Sequence, residues 1–148
     1  MPAILVDTNV LIYAHDPGDP VKQAKAIQVL DHVHANGIGR LSTQTLGEFF
    51  AAATRGTRPL LTVAKASQQI DNLALSWVLF DVTPLVVIEA VRGVRTHKFS
   101  YWDAQLWAIA RLNQTTVIFT EDFNVGGAIE GVRFVSPFAA DFVLTLWQ

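Results

Sequence analysis

Short apolar segments without the alternation of a half-exposed strand recur along this 148-residue chain, and longer segments with helical spacing separate them. The apolar segments are AILV, WVLFDV and TTVIFT, joined by the small-residue segment GIGRLS and the final VRFVS. Strands buried on both faces have this continuous apolar pattern, which is typical of parallel sheets covered by helices on both sides. The sequence therefore predicts an α/β fold with a mainly parallel central sheet.

Helices are predicted between these strands, over residues 10–14, 21–34, 43–54, 62–75, 84–96 and 102–112. Asn36-Gly37 ends the second of them, and Pro84 suits the first turn of the fifth. The chain has no internal repeat and no Gly/Ser-rich linker. At this length we expect one domain spanning residues 1–148.

Composition excludes several classes of protein. The chain has no cysteine, which rules out disulfides and thiolate metal sites. Its longest stretch without a charged residue is nine residues, against about 20 apolar residues for a membrane-spanning helix. Because the first residues also lack a basic segment followed by an apolar one, we expect a cytoplasmic protein without membrane contact. A net charge of −2 means that any contact with nucleic acid depends on a local basic patch.

Four acidic residues occupy positions where a parallel sheet binds its ligands, beyond the carboxyl ends of the strands. Asp7 directly follows the first strand, and Asp122 follows the strand TTVIFT. Glu48 and Asp103 lie near the starts of helices entered from the same edge. Glu121 is adjacent to Asp122 and could take its place, so the sequence leaves the choice between these two open.

Each of these acids also has a purely structural interpretation. Asp7 suits a helix N-cap, and Asp122 suits a turn. Thr45-x-x-Glu48 and Ser100-x-x-Asp103 both fit a capping box. Against this, Gly47 is a poor helix former, and a small residue beside Glu48 would permit close approach of a ligand.

Four carboxylates converging on one edge would repel one another unless a hard cation lay between them. Carboxylate and water ligands favour Mg²⁺ or Mn²⁺ over Zn²⁺. The four histidines do not form a metal-binding spacing, and we interpret them as solvated. The residues taken together predict a divalent-metal site built from Asp7, Glu48, Asp103 and Asp122.

Four segments, in order along the chain, resemble the PIN domain and most closely its VapC-type toxins: VDTNVLIYAHD, LSTQTLGEFF, YWDAQLWAIA and VIFTEDF. The tail GVRFVSPF is also similar to the last strand of that family. The resemblance implies a three-layer α/β/α sandwich with a central, mainly parallel sheet. It further implies a Mg²⁺- or Mn²⁺-dependent endoribonuclease, usually a homodimer, that a cognate antitoxin protein holds inactive. The same four acids match the acidic quartet of the family, while Asn9 and Thr120 match supporting positions.

RNA cleavage by metal-activated water is the predicted reaction, because a divalent cation both acidifies water and stabilises charge on phosphate. Asp7, Asp103 and Asp122 are the expected ligands, and Glu48 completes the site or holds the attacking water. Two basic groups are candidate RNA contacts: Arg92, Arg95 and Lys98 before Asp103, and Arg55 and Arg58 after Glu48. For Arg92, a helical ion pair with Glu89 is an equally good interpretation.

Two alternatives to a nuclease are open at this point. In a phosphatase, Asp7 would be an aspartyl nucleophile, but Asn9 occupies the place of that family's second acid. Covalent phosphate on Asp7 would identify it. A non-catalytic partner-binding module would neither bind Mg²⁺ at the acids nor turn over any substrate.

Overall fold

The computed structural model describes residues 2–148, which form six strands, six α-helices and one 3₁₀ turn. Their order along the chain is β1 (Ile4–Val6), α1 (Thr8–Tyr13), α2 (Pro20–Ala35), β2 (Gly39–Ser42), α3 (Thr43–Ala53), α4 (Val63–Ser76), β3 (Val78–Phe80), α5 (Pro84–His97), α6 (Tyr101–Leu112), β4 (Val117–Phe119), β5 (Ala128–Ile129), β6 (Val132–Val135) and the 3₁₀ turn Leu144–Leu146.

All strands belong to one sheet in the order β3-β2-β1-β4-β6-β5. Every pairing is parallel except that of β5 with β6. From β1 the chain moves outward on one side to β2 and β3, and it returns to place β4 on the other side. The strand order therefore reverses between β1 and β4, and open α/β sheets bind ligands at such a switch point.

The two faces of the sheet carry separate apolar clusters, which makes the predicted three layers. Ile4 and Val6 face the cluster formed with α1, α2 and α3, whereas Leu5 faces the cluster formed with α5 and α6. Successive residues of a strand point to opposite faces, so a strand apolar at every position requires helices on both sides. The predicted fold class is confirmed.

The sequence prediction missed the two-residue strand β5. It pairs with β6 through a turn in which Glu130 and Gly131 both have positive φ, of 49° and 82°. Two successive positive φ values characterise the tight turns that join hairpin strands. A strand of two residues is too short for a hydrophobic pattern to reveal.

Of the four histidines predicted to be solvated, only His34 is exposed, the other three are partly buried, and each makes tertiary contacts. His32 Nε2 bonds the Trp147 carbonyl, and His34 Nε2 lies 3.0 Å from the Ser76 carbonyl. His97 Nε2 lies 2.5 Å from a carboxylate oxygen of Glu130. The ring of His15 packs 5.5 Å from that of Phe49, and burial lowers its pKa. Within residues 2–148, no helix is both long and apolar enough to cross a membrane.

Candidate active site

A cavity of about 550 Å³ opens at the carboxyl edge of the sheet, where β1 and β4 end side by side. The backbone N–H of Asp7 donates to the Phe119 carbonyl at 2.9 Å, which continues the β1–β4 pairing to the cavity floor. Six carboxylates line this cavity: Asp7, Asp16, Glu48, Asp103, Glu121 and Asp122. The edge that sequence reasoning indicated is therefore strongly acidic. Asp16 was not among the predicted site residues, because its turn sequence HDPGDP looked like an ordinary loop.

Asp7 is both the N-cap of α1 and the most perturbed acid of the cavity. Its Oδ1 accepts from the backbone N–H of Thr8 at 2.7 Å, and its Oδ2 accepts from the hydroxyl of Thr120 at 2.8 Å. Burial, together with the negative charges of Glu48 and Asp103, raises the pKa of Asp7 to about 6, although these two hydrogen bonds lower it. A nearby cation would reverse this penalty.

Asn9, the second residue of α1, has a polar side-chain atom without a hydrogen-bond partner among residues 2–148. Its Oδ1 is buried and has no hydrogen-bond partner among residues 2–148, as is also true of the Thr8 hydroxyl. Both residues line the acidic cavity. A buried oxygen without a donor is costly unless some group binds it. Oxygen atoms in a cavity lined by carboxylates are the donor set that a hard divalent cation takes.

Glu121 and Asp122 differ in what surrounds them. Glu121 Oε1 accepts from the Tyr13 hydroxyl at 2.7 Å, and its Oε2 pairs with the Lys22 ammonium. The same ammonium lies 4.7 Å above the Tyr13 ring. Asp122 is exposed at the cavity rim. The charge of Glu121 is thus compensated by Lys22, whereas Asp122 makes no ion pair within residues 2–148.

Glu48 lies beyond the first turn of α3, and a capping box with Thr45 is therefore wrong. Ser42 is the N-cap, with its hydroxyl accepting from the Thr45 N–H at 3.0 Å. Glu48 is exposed, and its Oε1 accepts from Gln44 Nε2 at 2.7 Å. Apart from the backbone of α3, no heavy atom of the described residues lies within 4 Å of a Cβ built on Gly47. No other backbone of the described residues thus approaches Gly47, and the space beside it is open to a ligand.

Asp103 enters the cavity from the first turn of α6. Ser100 caps that helix, and its hydroxyl accepts from the Asp103 N–H at 3.4 Å. The capping interpretation is thus correct for Ser100, while the Asp103 carboxylate lines the cavity. As the side chains are placed, no three His, Asp or Glu residues of the described chain are close enough to hold a metal ion.

Comparison with known families gives one match, in which the PIN domain model matches residues 4–125. The chain belongs to the PIN-domain family. A comparison with curated proteins finds no match. The matched segment of this PIN domain contains all six cavity acids.

Several solved structures are similar to this PIN domain. One is VapC20 of Mycobacterium tuberculosis, a Sarcin-Ricin loop cleaving toxin, with 20% identity, a TM-score of 0.65, and 86% of this chain and 98% of that chain covered. A toxin–antitoxin complex from Klebsiella pneumoniae has 18% identity, a TM-score of 0.65 and coverage of 92% and 98%. DNA-bound VapBC from Salmonella typhimurium has 15% identity, a TM-score of 0.65 and coverage of 93% and 99%. At these identities the likeness establishes the fold.

Among the candidate RNA contacts, Arg92 forms ion pairs, whereas Arg95 and Lys98 form none within residues 2–148. Arg92 donates to Glu89 at 2.6 Å and to Glu130 at 2.9 Å, so its guanidinium holds α5 against the β5–β6 turn. Arg95 and Lys98 are exposed. They precede Phe99, whose ring packs edge-on at 4.9 Å against that of Phe123 in the cavity wall.

Arg55 and Arg58 are exposed beyond the end of α3. Because α3 rises about 1.5 Å per residue, its last residue, Ala53, lies roughly 8 Å along the helix from Glu48. That direction leads away from the helix start at the acidic edge.

Proposed function

We propose that this PIN domain is an endoribonuclease dependent on Mg²⁺ or Mn²⁺ and is the toxin of a toxin–antitoxin pair. The observation that carries the proposal is the acidic cavity at the switch point of the sheet, with Asp7 at its floor under the negative field of Glu48 and Asp103. The three similar structures are a toxin, a toxin–antitoxin complex and DNA-bound VapBC. They support the same biological role.

Five side chains have roles in this proposal. Asp7, Asp103 and Asp122 hold the cation, and Asn9, whose buried Oδ1 has no partner among residues 2–148, lines the same cavity. Glu48 completes the site or holds the attacking water. When bound, the cation supplies acidified water and neutralises charge that develops on the scissile phosphate.

The chain itself fixes the geometry of that chemistry. The N–H of Thr8 and the hydroxyl of Thr120 bind the two oxygens of Asp7, so its carboxylate cannot rotate. Thr120 is fully buried, and its own backbone N–H bonds the Val135 carbonyl at 2.9 Å. A ligand held on strand ends keeps its position as charge builds up, which is the condition for electrostatic catalysis.

RNA contact is assigned to Arg95 and Lys98. Both are exposed; Arg95 lies in the last turn of α5, and Lys98 lies in the segment that joins α5 to the helix bearing Asp103. The Arg55 and Arg58 pair lies beyond the C-terminal end of α3, and Arg92 is occupied by two carboxylates. Cations beside a nuclease cleft bind the phosphates on either side of the cleaved bond.

Assembly is also part of the proposal: a homodimer, inhibited by a cognate antitoxin. α5 carries large apolar side chains in solvent, with Leu85 68% and Ile88 65% exposed. Contiguous exposed apolar surface typically marks a protein–protein interface. Light scattering of the purified chain should give twice the monomer mass of 16.3 kDa. A monomeric mass at micromolar concentration would contradict the dimer.

The nuclease proposal is tested by RNA cleavage with purified protein, with Mg²⁺ or Mn²⁺ and with EDTA. We expect cleavage by the wild type only with the cation, and a loss of at least about 100-fold in Asp7→Asn, because one preorganised charge group contributes 10²–10³-fold. Asp71→Asn is the matched control, since Asp71 is an exposed acid on α4. Activity that survives EDTA or Asp7→Asn contradicts the proposal.

A further inference from the structure

Three side chains connect Glu48 on α3 to α6, the helix that carries Asp103. The Tyr101 hydroxyl donates to Gln105 Oε1 at 2.7 Å, and Gln105 Nε2 donates to Gln44 Oε1 at 2.9 Å. Gln44 Nε2 then donates to Glu48 Oε1 at 2.7 Å. The chain of hydrogen bonds begins on α6, crosses to α3 and ends on a carboxylate of the acidic cavity.

The direction of these hydrogen bonds is fixed by Tyr101 and Glu48, the residues at their two ends. A tyrosine hydroxyl that donates needs an acceptor, and an ionised carboxylate only accepts. If Gln44 were flipped, its carbonyl oxygen would face the oxygens of Glu48. Its other N–H also donates to the Trp102 carbonyl at 3.1 Å, so the Gln44 amide uses both hydrogens and its oxygen.

Burial distinguishes this arrangement from an ordinary surface network. Gln105 is only 5% exposed, so protein groups rather than water must satisfy its amide. Glu48, by contrast, is exposed and could be solvated without a protein partner. An exposed glutamate loses considerable rotamer entropy when it is held in one position. The contacts therefore restrain a carboxylate that water would otherwise leave free.

We propose that Gln44 and Gln105 are positioning residues that set the Glu48 carboxylate relative to Asp103 and leave Glu48 Oε2 free for the cation or the attacking water. Gln44 acts directly on Glu48, since residues four apart share a helix face. Gln105 acts through Gln44, because it holds the amide in the orientation that presents N–H to Glu48. The inference rests on the proposed nuclease function.

The first test measures Mn²⁺ binding by calorimetry and RNA cleavage in wild type, Gln44→Met and Gln105→Met. Methionine keeps the side-chain length and removes the amide hydrogen bonds. Partners that orient a metal ligand typically contribute 10–100-fold to metal affinity or activity. We expect each variant to bind Mn²⁺ about tenfold more weakly and to lose kcat with KM for RNA nearly unchanged. Gln68→Met is the control, because Gln68 is exposed on α4.

The double variant Gln44→Met/Gln105→Met tests the proposed order of action. Because Gln105 acts only through Gln44, the double variant should bind Mn²⁺ no more weakly than Gln44→Met alone. If the losses of Mn²⁺ affinity in the two single variants add in the double variant, Gln105 does not act through Gln44. Should Gln44→Met fail to fold, Gln44→Asn keeps the amide but is too short to reach Glu48, and it should show the same loss.

A second measurement needs neither metal nor RNA. In protein labelled with ¹⁵N-glutamine, the Gln44 side-chain amide should show slow proton exchange that is lost in Gln105→Met and in Glu48→Ala. Fast exchange in the wild type overturns the relay. A wild type that neither binds Mn²⁺ nor cleaves RNA overturns the nuclease proposal instead. A wild type that does both, with Gln44→Met equal to it, overturns the positioning role alone.

Discussion

At the scale of single residues, Asp7 shows that capping and chemistry are not alternatives. One carboxylate oxygen caps α1 through the Thr8 N–H, while the carboxylate also faces the acidic cavity. The hydrogen bonds lower its pKa, but burial dominates and raises the pKa to about 6. An acid whose pKa is raised by burial is a typical feature of functional sites.

This raised pKa predicts a stability difference that depends on pH. Between about pH 4 and pH 6 the folded state keeps a proton on Asp7 that the unfolded state releases, so the free energy of unfolding falls as pH rises. The full penalty, at most about 3 kcal/mol, is present above the folded pKa. Asp7→Asn should therefore stabilise the metal-free protein by about 1–3 kcal/mol at pH 7 and by little at pH 4.

Urea unfolding in EDTA at a series of pH values measures this difference. Asp71→Asn, which changes an exposed acid, should follow the wild type at every pH. Equal stability of Asp7→Asn and wild type at pH 7 would mean that burial does not disfavour the charged form of Asp7.

Residue roles were predictable from sequence where they depend on local position. The acids at strand ends and helix starts could be located because parallel strands finish at one edge. The state of Glu121 could not, because it depends on Lys22, which lies 99 positions earlier in the chain. The link from Gln105 to Gln44 spans 61 positions and has no local pattern.

At the scale of elements, α5 and α6 pack closely because α5 has a glycine at their crossing. A Cβ on Gly93 would lie 2.9 Å and 3.0 Å from carbons of the buried Trp107 ring, and 3.3 Å from the Phe99 ring. An indole inside the core cannot move without disturbing its other neighbours. Nothing in the sequence showed that Gly93 would be the neighbour of Trp107.

We expect Gly93→Ala to destabilise the fold by about 1–3 kcal/mol, as overpacking of cores does. Gly47→Ala is the matched control, because Gly47 is also inside a helix but has open space at its Cβ position. It should gain up to about 1 kcal/mol from helix propensity. Thermal or urea unfolding of both variants shows whether each substitution lowers or raises the free energy of unfolding. A gain in Gly93→Ala would contradict the close packing of α5 on α6.

Element boundaries followed from sequence where caps are side chains of the chain itself. Ser42, Thr83 and Ser100 each accept from a backbone N–H at the start of a helix, and each predicted helix begins within two residues of its cap. The short β5 was missed because only its pairing with β6 defines it as a strand. Pairing partners depend on tertiary structure, which local propensity does not contain.

At the scale of the whole molecule, the charge balance opposes RNA binding. The net charge is −2 and six acids line one cavity, so an approaching polyanion is repelled unless cations at the rim compensate. The proposed attraction is local, from Arg95 and Lys98 beside the cleft. Global charge and local placement make different predictions, and two double variants separate them.

Arg95→Glu/Lys98→Glu and Arg55→Glu/Arg58→Glu lower the net charge equally, because each replaces two cations by two anions. If placement decides, only the first should weaken RNA binding strongly. For single-stranded RNA, loss of two phosphate contacts should reduce the slope of log K against log salt concentration by about 1.4. Binding isotherms of Asp7→Asn protein at several salt concentrations measure this without cleavage. Equal losses in both variants would show that net charge, rather than a patch beside the cavity, governs the attraction.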